Sequence, residues 1–305
     1  MEAPLTGVVP VVPTIFRDDE SVDADGTVRV VDYLLDAGVD GLCVLANYSE
    51  QFSLTDGERD TIARTLLEHV AGRVPVIVTT SHYSARVAAE RSRAAQDAGA
   101  AMVMLMPPSF GATLTVPGPA VIEYFKRVAD AVDIPVMVQD APLSATPLPA
   151  SLLTDLVRQV PQVRYAKIEV AQAADKIHAL VGALGDRLPG PFDGEESVTL
   201  IPDLEAGARG TMPSSMVPAE LGRIVRGYLA GDRAAAVAAW EDLLPLIHYE
   251  NRQCGLRAQK ILLAEGGIIA SDRTRAPLRP VSPRTRHGLI ELAAARDPLI
   301  LRWAR

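Results

Sequence analysis

Residues 163–170 read VRYAKIEV, a run with the composition of a short buried strand that nevertheless carries a lysine and a glutamate. Side chains alternate across a strand, so Tyr165, Lys167 and Glu169 share one face while Ala166, Ile168 and Val170 share the other. One face is apolar and the other holds an amine beside a carboxylate. The chain has four lysines (Lys126, Lys167, Lys176, Lys260) against twenty-six arginines, so Lys167 is not ordinary surface filler. Desolvation in an apolar pocket disfavours the ammonium, and a neutral amine can attack a ketone to form a Schiff base. The competing reading is a lysine snorkelling outward from a sheet edge.

Working outward from this stretch, similar apolar runs alternate with helical patterns, which is a βα beat. Upstream lie IPVMVQDAP (134–142), AAMVMLMPP (100–108), VPVIVTTS (74–81), GVDGLCVLANY (38–48) and GVVPVVPTIF (7–16). Downstream, LPGPFDG (188–194) and ARGTMPSS (208–215) supply strands seven and eight around SVTLIPDLEAG (197–207). Helical spacing predicts helices over 24–37, 55–70, 84–98, 118–131, 149–159 and 172–183, with Thr55 and Glu58 forming a capping box. Strands apolar on both faces, repeated eight times, imply a closed (β/α)8 TIM barrel more than an open sheet. No GxGxxG or GxxxxGK[ST] follows a strand, which argues against a nucleotide-binding doubly wound fold. The expected division is a catalytic barrel over 1–228 and a C-terminal helical region over 229–305, whose alanine-rich stripes pack on the barrel or on another subunit.

Reactive residues of a parallel barrel sit at the carboxyl ends of its strands. That rule selects Asn47, Tyr48, Ser49 and Glu50 after strand two, and Thr79, Thr80, Ser81 and His82 after strand three. It also selects Gln139 and Asp140 after strand five, and Asp193, Glu195 and Glu196 after strand seven. The neutral donors near strands two and three suit a substrate carboxylate. Each also has a plainer reading: Ser81 or Ser84 as a helix cap, and Glu195 and Glu196 as acids at a helix start.

The net charge of −8 argues against a nucleic-acid surface, and no basic run stands out except the mixed SDRTRAPLRPVSPRTRH (271–287), read as a loop crossing the surface. Cys43 and Cys254 lie far apart, and no HxH or HExxH occurs, so neither a disulfide framework nor a metal site is expected. No apolar run reaches about 18 residues and no basic leader opens the chain, so a cytoplasmic protein without a membrane span is expected.

These residues resemble the pyruvate-type class I lyases, the family that includes dihydrodipicolinate synthase and N-acetylneuraminate lyase. GVVPVVPTIF resembles the family's opening, ANYSEQFSLTDGER its Gly-x-x-Gly-Glu loop, IPVMVQDAP its fifth strand and YAKIE its Schiff-base strand. The resemblance implies a (β/α)8 barrel with a C-terminal helical region, usually a homotetramer, needing no cofactor, with Lys167 as the imine-forming residue. It covers nearly the whole chain. Where most members carry a catalytic tyrosine at the end of strand five, this chain has Gln139-Asp140-Ala141-Pro142, and Ser144 stands where the synthases place a carboxylate-binding arginine. LANYSEQF, TTSHYS, MVQDAP, KIE, DGEE and DPLILRWA look most like a branch that dehydrates 2-keto-3-deoxy sugar acids.

The expectation is therefore a Schiff-base dehydratase with Lys167 and Glu169 catalytic. Asn47, Tyr48 and Ser49 hold the substrate carboxylate, His82 and Gln139 contact the hydroxyl-bearing end, and Asp140 and Glu195 complete the set. The alternatives are an aldolase releasing pyruvate and a non-catalytic keto-acid-binding barrel.

Overall fold

The computed structural model describes residues 4–111 and 114–304. Eight strands run in chain order: β1 (Gly7–Val8), β2 (Leu42–Val44), β3 (Val76–Thr79), β4 (Met102–Leu105), β5 (Val136–Asp140), β6 (Val163–Ile168), β7 (Gly190–Asp193) and β8 (Gly210–Thr211). Helices α1 (Ala24–Asp36), α2 (Asp56–Val70), α3 (Ala85–Asp97), α4 (Gly118–Ala129), α5 (Ala150–Gln159), α6 (Ala173–Leu184), α7 (Leu200–Glu205) and α8 (Pro218–Leu229) follow successive strands. Helices α9 (Arg233–Tyr249), α10 (Arg257–Glu265) and α11 (Pro283–Ala294) come after the last strand. The strand order is β1-β8-β7-β6-β5-β4-β3-β2, and the fold is the (β/α)8 barrel with a C-terminal helical region. Among the described residues, no helix is long and apolar enough to cross a membrane.

The chain forms two compact units. The first comprises the residues up to Thr6, Pro75–Glu195 and Thr199–Met212. Its strands β3 to β8 pair in sequence, each pair parallel, and every residue of β3, β4, β5 and β7 is buried. Strands buried on both faces need apolar side chains on both, which explains the near-continuous VIVT and MVML runs. The register sets Gln139 beside Lys167 and Lys167 beside Phe192, while Asp140 and Asp193 both align with Ile168. Register partners in neighbouring strands share a face. Gln139, Lys167 and Phe192 therefore point one way, and Asp140, Ile168 and Asp193 the other.

The second unit comprises Gly7–Val74, Glu196–Val198 and the chain from Pro213 onward. Of the apolar run 7–16, only Gly7–Val8 form a strand, since Pro10 and Pro13 have no N–H to give a ladder. The run is carried on by single contacts: Val12 N donates to Cys43 O (2.8 Å), and Cys43 N to Pro10 O (2.9 Å). The predicted capping box is present: Glu58 N donates to Thr55 Oγ1 (3.2 Å) and Thr55 N to Glu58 Oε2 (2.9 Å). Such a cap stabilises a helix by about 1 kcal/mol.

Three local expectations change. Helix α7 begins at Leu200, and the residues before it form a turn in which Glu196 (φ 48°) and Ser197 (φ 70°) are left-handed, so Glu195 and Glu196 are not helix-start acids. Ser84 occupies the N-cap of α3 with its side chain making no capping bond. Ser81 does not cap either: its Oγ accepts from Met106 N (2.9 Å), tying the ends of β3 and β4 together.

Candidate active site

In the first unit, β6 delivers Lys167 to a position where it is 3% exposed, so the snorkelling alternative does not hold. Lys167 Nζ lies 2.7 Å from Glu169 Oε1, and Gln139 Nε2 donates to the same oxygen at 2.8 Å. Strand alternation brings Lys167 and Glu169 to one face, and the β5–β6 register brings Gln139 alongside. Gln139 Oε1 is buried and has no hydrogen-bond partner among the described residues. A buried acceptor of this kind is costly unless something donates to it, so it marks a place for a donor.

Two glycines shape this face. A Cβ on Gly194 would lie 2.5 Å from Glu169 Cγ and 2.8 Å from Lys167 Cγ, closer than real side chains approach. A Cβ on Gly190 would lie 2.2 Å from the ring of Tyr165, whose hydroxyl accepts from Leu5 N at 3.1 Å. Both glycines are needed for close approach, and the sequence reading used neither.

At the end of β3, His82 Nδ1 accepts from Ser84 N (3.0 Å), so the neutral ring carries its proton on Nε2. Its carbonyl accepts from the Tyr124 hydroxyl (3.0 Å), and burial pushes that phenol well up from its ordinary value. Asp140 shares a face with Ile168, and its carboxylate pairs with Lys176 Nζ at 2.5 Å. Lys176 also donates to Leu148 O. Burial raises the Asp140 carboxyl, and Lys176 only partly offsets this. Glu195 is half-buried in the turn after β7, near enough to Asp203 for its charge to raise that carboxyl.

In the second unit, Asn47, Tyr48 and Ser49 form a tight 3-10 turn. Ser49 Oγ donates to Val12 O (2.6 Å) and accepts from Ala46 N (3.1 Å), while Gln51 Nε2 donates to Asn47 Oδ1 (2.8 Å). Glu50 adopts a left-handed backbone (φ 56°) and is fully buried, its Oε1 paired with Lys260 Nζ and its Oε2 accepting from Arg275 N (3.1 Å). Lys260 is also fully buried and sits 4.4 Å over the ring of Phe16. Burial lowers its ammonium against the opposing pull of Glu50. Gln259 Nε2 donates to Tyr48 O (2.9 Å). Arg275 clamps Glu58 with two bonds (2.8 and 2.5 Å) and holds that carboxyl down at about 2. The sequence reading missed Gln259, Lys260 and Arg275. For Lys260 a signal existed, the scarcity of lysine. Among the described residues, no cluster of three or more histidine, cysteine, aspartate or glutamate side chains could hold a metal.

Residues 4–295 match the model of the dihydrodipicolinate synthetase family. Over 298 residues the chain is 52% identical to an L-2-keto-3-deoxyarabonate dehydratase of Azospirillum brasilense, covering 98% of this chain and 96% of that protein. Over 285 residues it is 30% identical to a 4-hydroxy-tetrahydrodipicolinate synthase of Thermomicrobium roseum, covering 90% of each. It also resembles the crystal structure of YagE, a dihydrodipicolinic acid synthase family protein of Escherichia coli K12 solved in complex with pyruvate. That likeness has a TM-score of 0.89 and 28% identity, covering 97% of this chain and all of the other.

Proposed function

The chain belongs to the dihydrodipicolinate synthetase family, and from that premise we propose that it dehydrates L-2-keto-3-deoxyarabonate to 2-oxoglutarate semialdehyde through a Schiff base on Lys167. The observation that carries the reading is the buried contact of Lys167 Nζ with Glu169 Oε1 at 2.7 Å. It is supported by the 52% identity to a dehydratase of that name.

The chemistry balances as follows. The Lys167 amine adds to the C2 ketone and water leaves, giving a protonated imine that acidifies the C3 protons. Glu169 takes one of them. C3 is two bonds from Nζ, and Glu169 Oε1 already lies beside Nζ, within the reach that general base catalysis needs. The enamine then expels the C4 hydroxyl as water, with the proton returned by the same carboxyl. Loss of a C5 proton with protonation at C3 gives the C4–C5 enol, loss of its hydroxyl proton with protonation at C4 makes C5 an aldehyde, and hydrolysis frees Lys167. The net change is loss of one water.

Gln139 Oε1 is assigned as acceptor for a substrate hydroxyl and His82 as a donor through Nε2–H, with Glu195 in the turn after β7 completing the set; Asp140, which faces away from Lys167 and pairs with Lys176, is given no substrate contact. Asn47 and Tyr48 are assigned to the carboxylate on the strength of their neutral donors and the family resemblance; Ser49, whose hydroxyl donates to Val12 O, is assigned to holding their turn in place. The same resemblance supports a homotetramer in the cytoplasm, without cofactor, which light scattering on purified protein tests in part.

The test is a panel of 2-keto-3-deoxy acids with products identified by mass, alongside borohydride trapping. Semialdehyde and a covalent adduct at Lys167 are expected; no adduct with any keto acid would sink the reading. Aldol cleavage is the second reading, favoured by the pyruvate bound to YagE. It predicts free pyruvate and glycolaldehyde from the same substrate.

A further inference from the structure

Strand β7 ends in Asp193, and α7 carries Asp203; both side chains are fully buried. Each has one oxygen anchored by a threonine: Thr211 Oγ1 donates to Asp193 Oδ2 at 2.5 Å, and Thr199 Oγ1 donates to Asp203 Oδ2 at 2.8 Å. The other oxygen of each, Oδ1, is buried and finds no fixed donor among the described residues. Helix α7 packs on β7, and the two carboxyls lie near enough for each to act on the other's titration. Two carboxylates offer only lone pairs, so the pair can bond across that gap only while one of them carries a proton. Burial raises both carboxyls, Asp193 the further, and each one's proximity to the other acts on both. The charged groups facing the pair are Lys167 on the Asp193 side and Glu195 on the Asp203 side.

The position of the pair gives it a consequence. Asp193 is followed directly by Gly194, the residue packed so tightly on Glu169 and Lys167 that it has no room for a Cβ. Asp193 itself points to the opposite face, in register with Ile168 and Thr211, where it reaches α7. The end of β7 is thus fastened on one face by the acid pair and pressed on the other against the reactive amine.

We propose that Asp193 and Asp203 are positioning residues that share a single proton, and that this proton fastens the end of β7 to α7 so that Gly194 keeps Lys167 and Glu169 in register. The idea rests on the reading of Lys167 as the imine-forming amine. When the proton leaves, two anions confined away from water repel, the end of β7 loosens and Gly194 no longer holds the Lys167–Glu169 contact. Raised carboxyls contribute stability that is fully present below their unfolded-state values and lost as pH climbs through their folded-state values; a proton kept at neutral pH therefore places that loss, in imine formation and folding stability alike, on the alkaline side.

Asp193→Asn and Asp203→Asn each replace the shared proton with an amide that donates at every pH, while leaving one negative charge on the pair. The assay is the rate of borohydride trapping of Lys167 with 2-oxobutyrate, together with the thermal midpoint, across neutral to alkaline pH. Wild type is expected to lose trapping rate and midpoint on the alkaline side. The amide variants should match wild type at neutral pH within about threefold and lose the alkaline fall, or shift it upward by at least about one pH unit, a tenfold change in proton affinity. Asp193→Ala should trap slowly at every pH. Amide variants that retain the wild-type alkaline limb would overturn the proposal, and so would folded amide variants that trap poorly at neutral pH. Should neither amide variant fold, the infrared C=O stretch of a protonated carboxyl in wild type at neutral pH decides, and its absence overturns the proposal. If wild type gives no adduct at any pH, the Lys167 reading fails instead, and the midpoint profiles still decide whether the proton is shared.

Discussion

Replacing Glu169 by glutamine separates holding the amine from moving a proton. The side chain keeps its size and can still bond Gln139, but the charge 2.7 Å from Lys167 Nζ is removed. At an effective dielectric of about 20, the lost attraction is roughly 6 kcal/mol, most of it already set against desolvation. A buried cation stripped of its partner costs about 3–5 kcal/mol. A reference lysine gives up its proton at pH 7 for about 4–5 kcal/mol, so deprotonation caps the penalty near the same figure. The cap falls by about 1.4 kcal/mol per pH unit, and the variant's stability deficit should shrink as pH rises, because the unfolded chain then binds the extra proton. Catalysis should suffer differently: turnover loses about 10²–10⁴-fold with the general base gone, while the amine still attacks a ketone. Steady-state turnover, borohydride trapping and urea unfolding at two pH values measure the three effects. Turnover within threefold of wild type would refute the proton-transfer role. Turnover and trapping lost in parallel would reduce Glu169 to a group that orients Lys167.

Gly194→Ala forces a methyl to within 2.5 Å of Glu169 Cγ, and the overpacking should cost about 1–3 kcal/mol in urea unfolding and slow trapping at Lys167. Lys260→Met leaves the fully buried Glu50 without its cation, and equilibrium unfolding should show a loss of about 3–5 kcal/mol that Glu50→Gln in the same chain partly restores. Glu58, held at about 2 by Arg275, contributes stability that is present above its unfolded value and lost as pH falls from about 4.5 toward 2. Thermal midpoints of Arg275→Met should therefore show a shallower fall across that acid range than wild type. Gln139→Leu removes both the buried acceptor Oε1 and the donor to Glu169, so KM for the hydroxylated substrate should rise by more than trapping with 2-oxobutyrate slows; an equal loss on both would count against a hydroxyl contact.

Much of the architecture was readable from local pattern. The spacing of apolar runs marked eight strands and the helices between them, Thr55 and Glu58 announced a cap, and alternation alone placed Lys167 and Glu169 on one face. The scarcity of lysine also told the truth: Lys167, Lys176 and Lys260 are all largely buried and ion-paired, and only Lys126 is a surface cation. The misreadings concern turns. Nothing in GEESVT announces that Glu196 and Ser197 take left-handed backbone before α7, and Ser81 spends its hydroxyl on Met106 and not on a helix end.

Period and alternation act between near neighbours, so the sequence by itself determined which segments are strands, which face each side chain takes and which amine is chemically out of place. Which polar group meets which was decided by tertiary structure. Asp140 meets Lys176 across 36 residues, Glu50 meets Lys260 across 210, and Asp193 meets Asp203 only because α7 folds back on the end of β7. Away from water, each such group must find a partner or change its protonation, and only the closed chain brings those partners within reach.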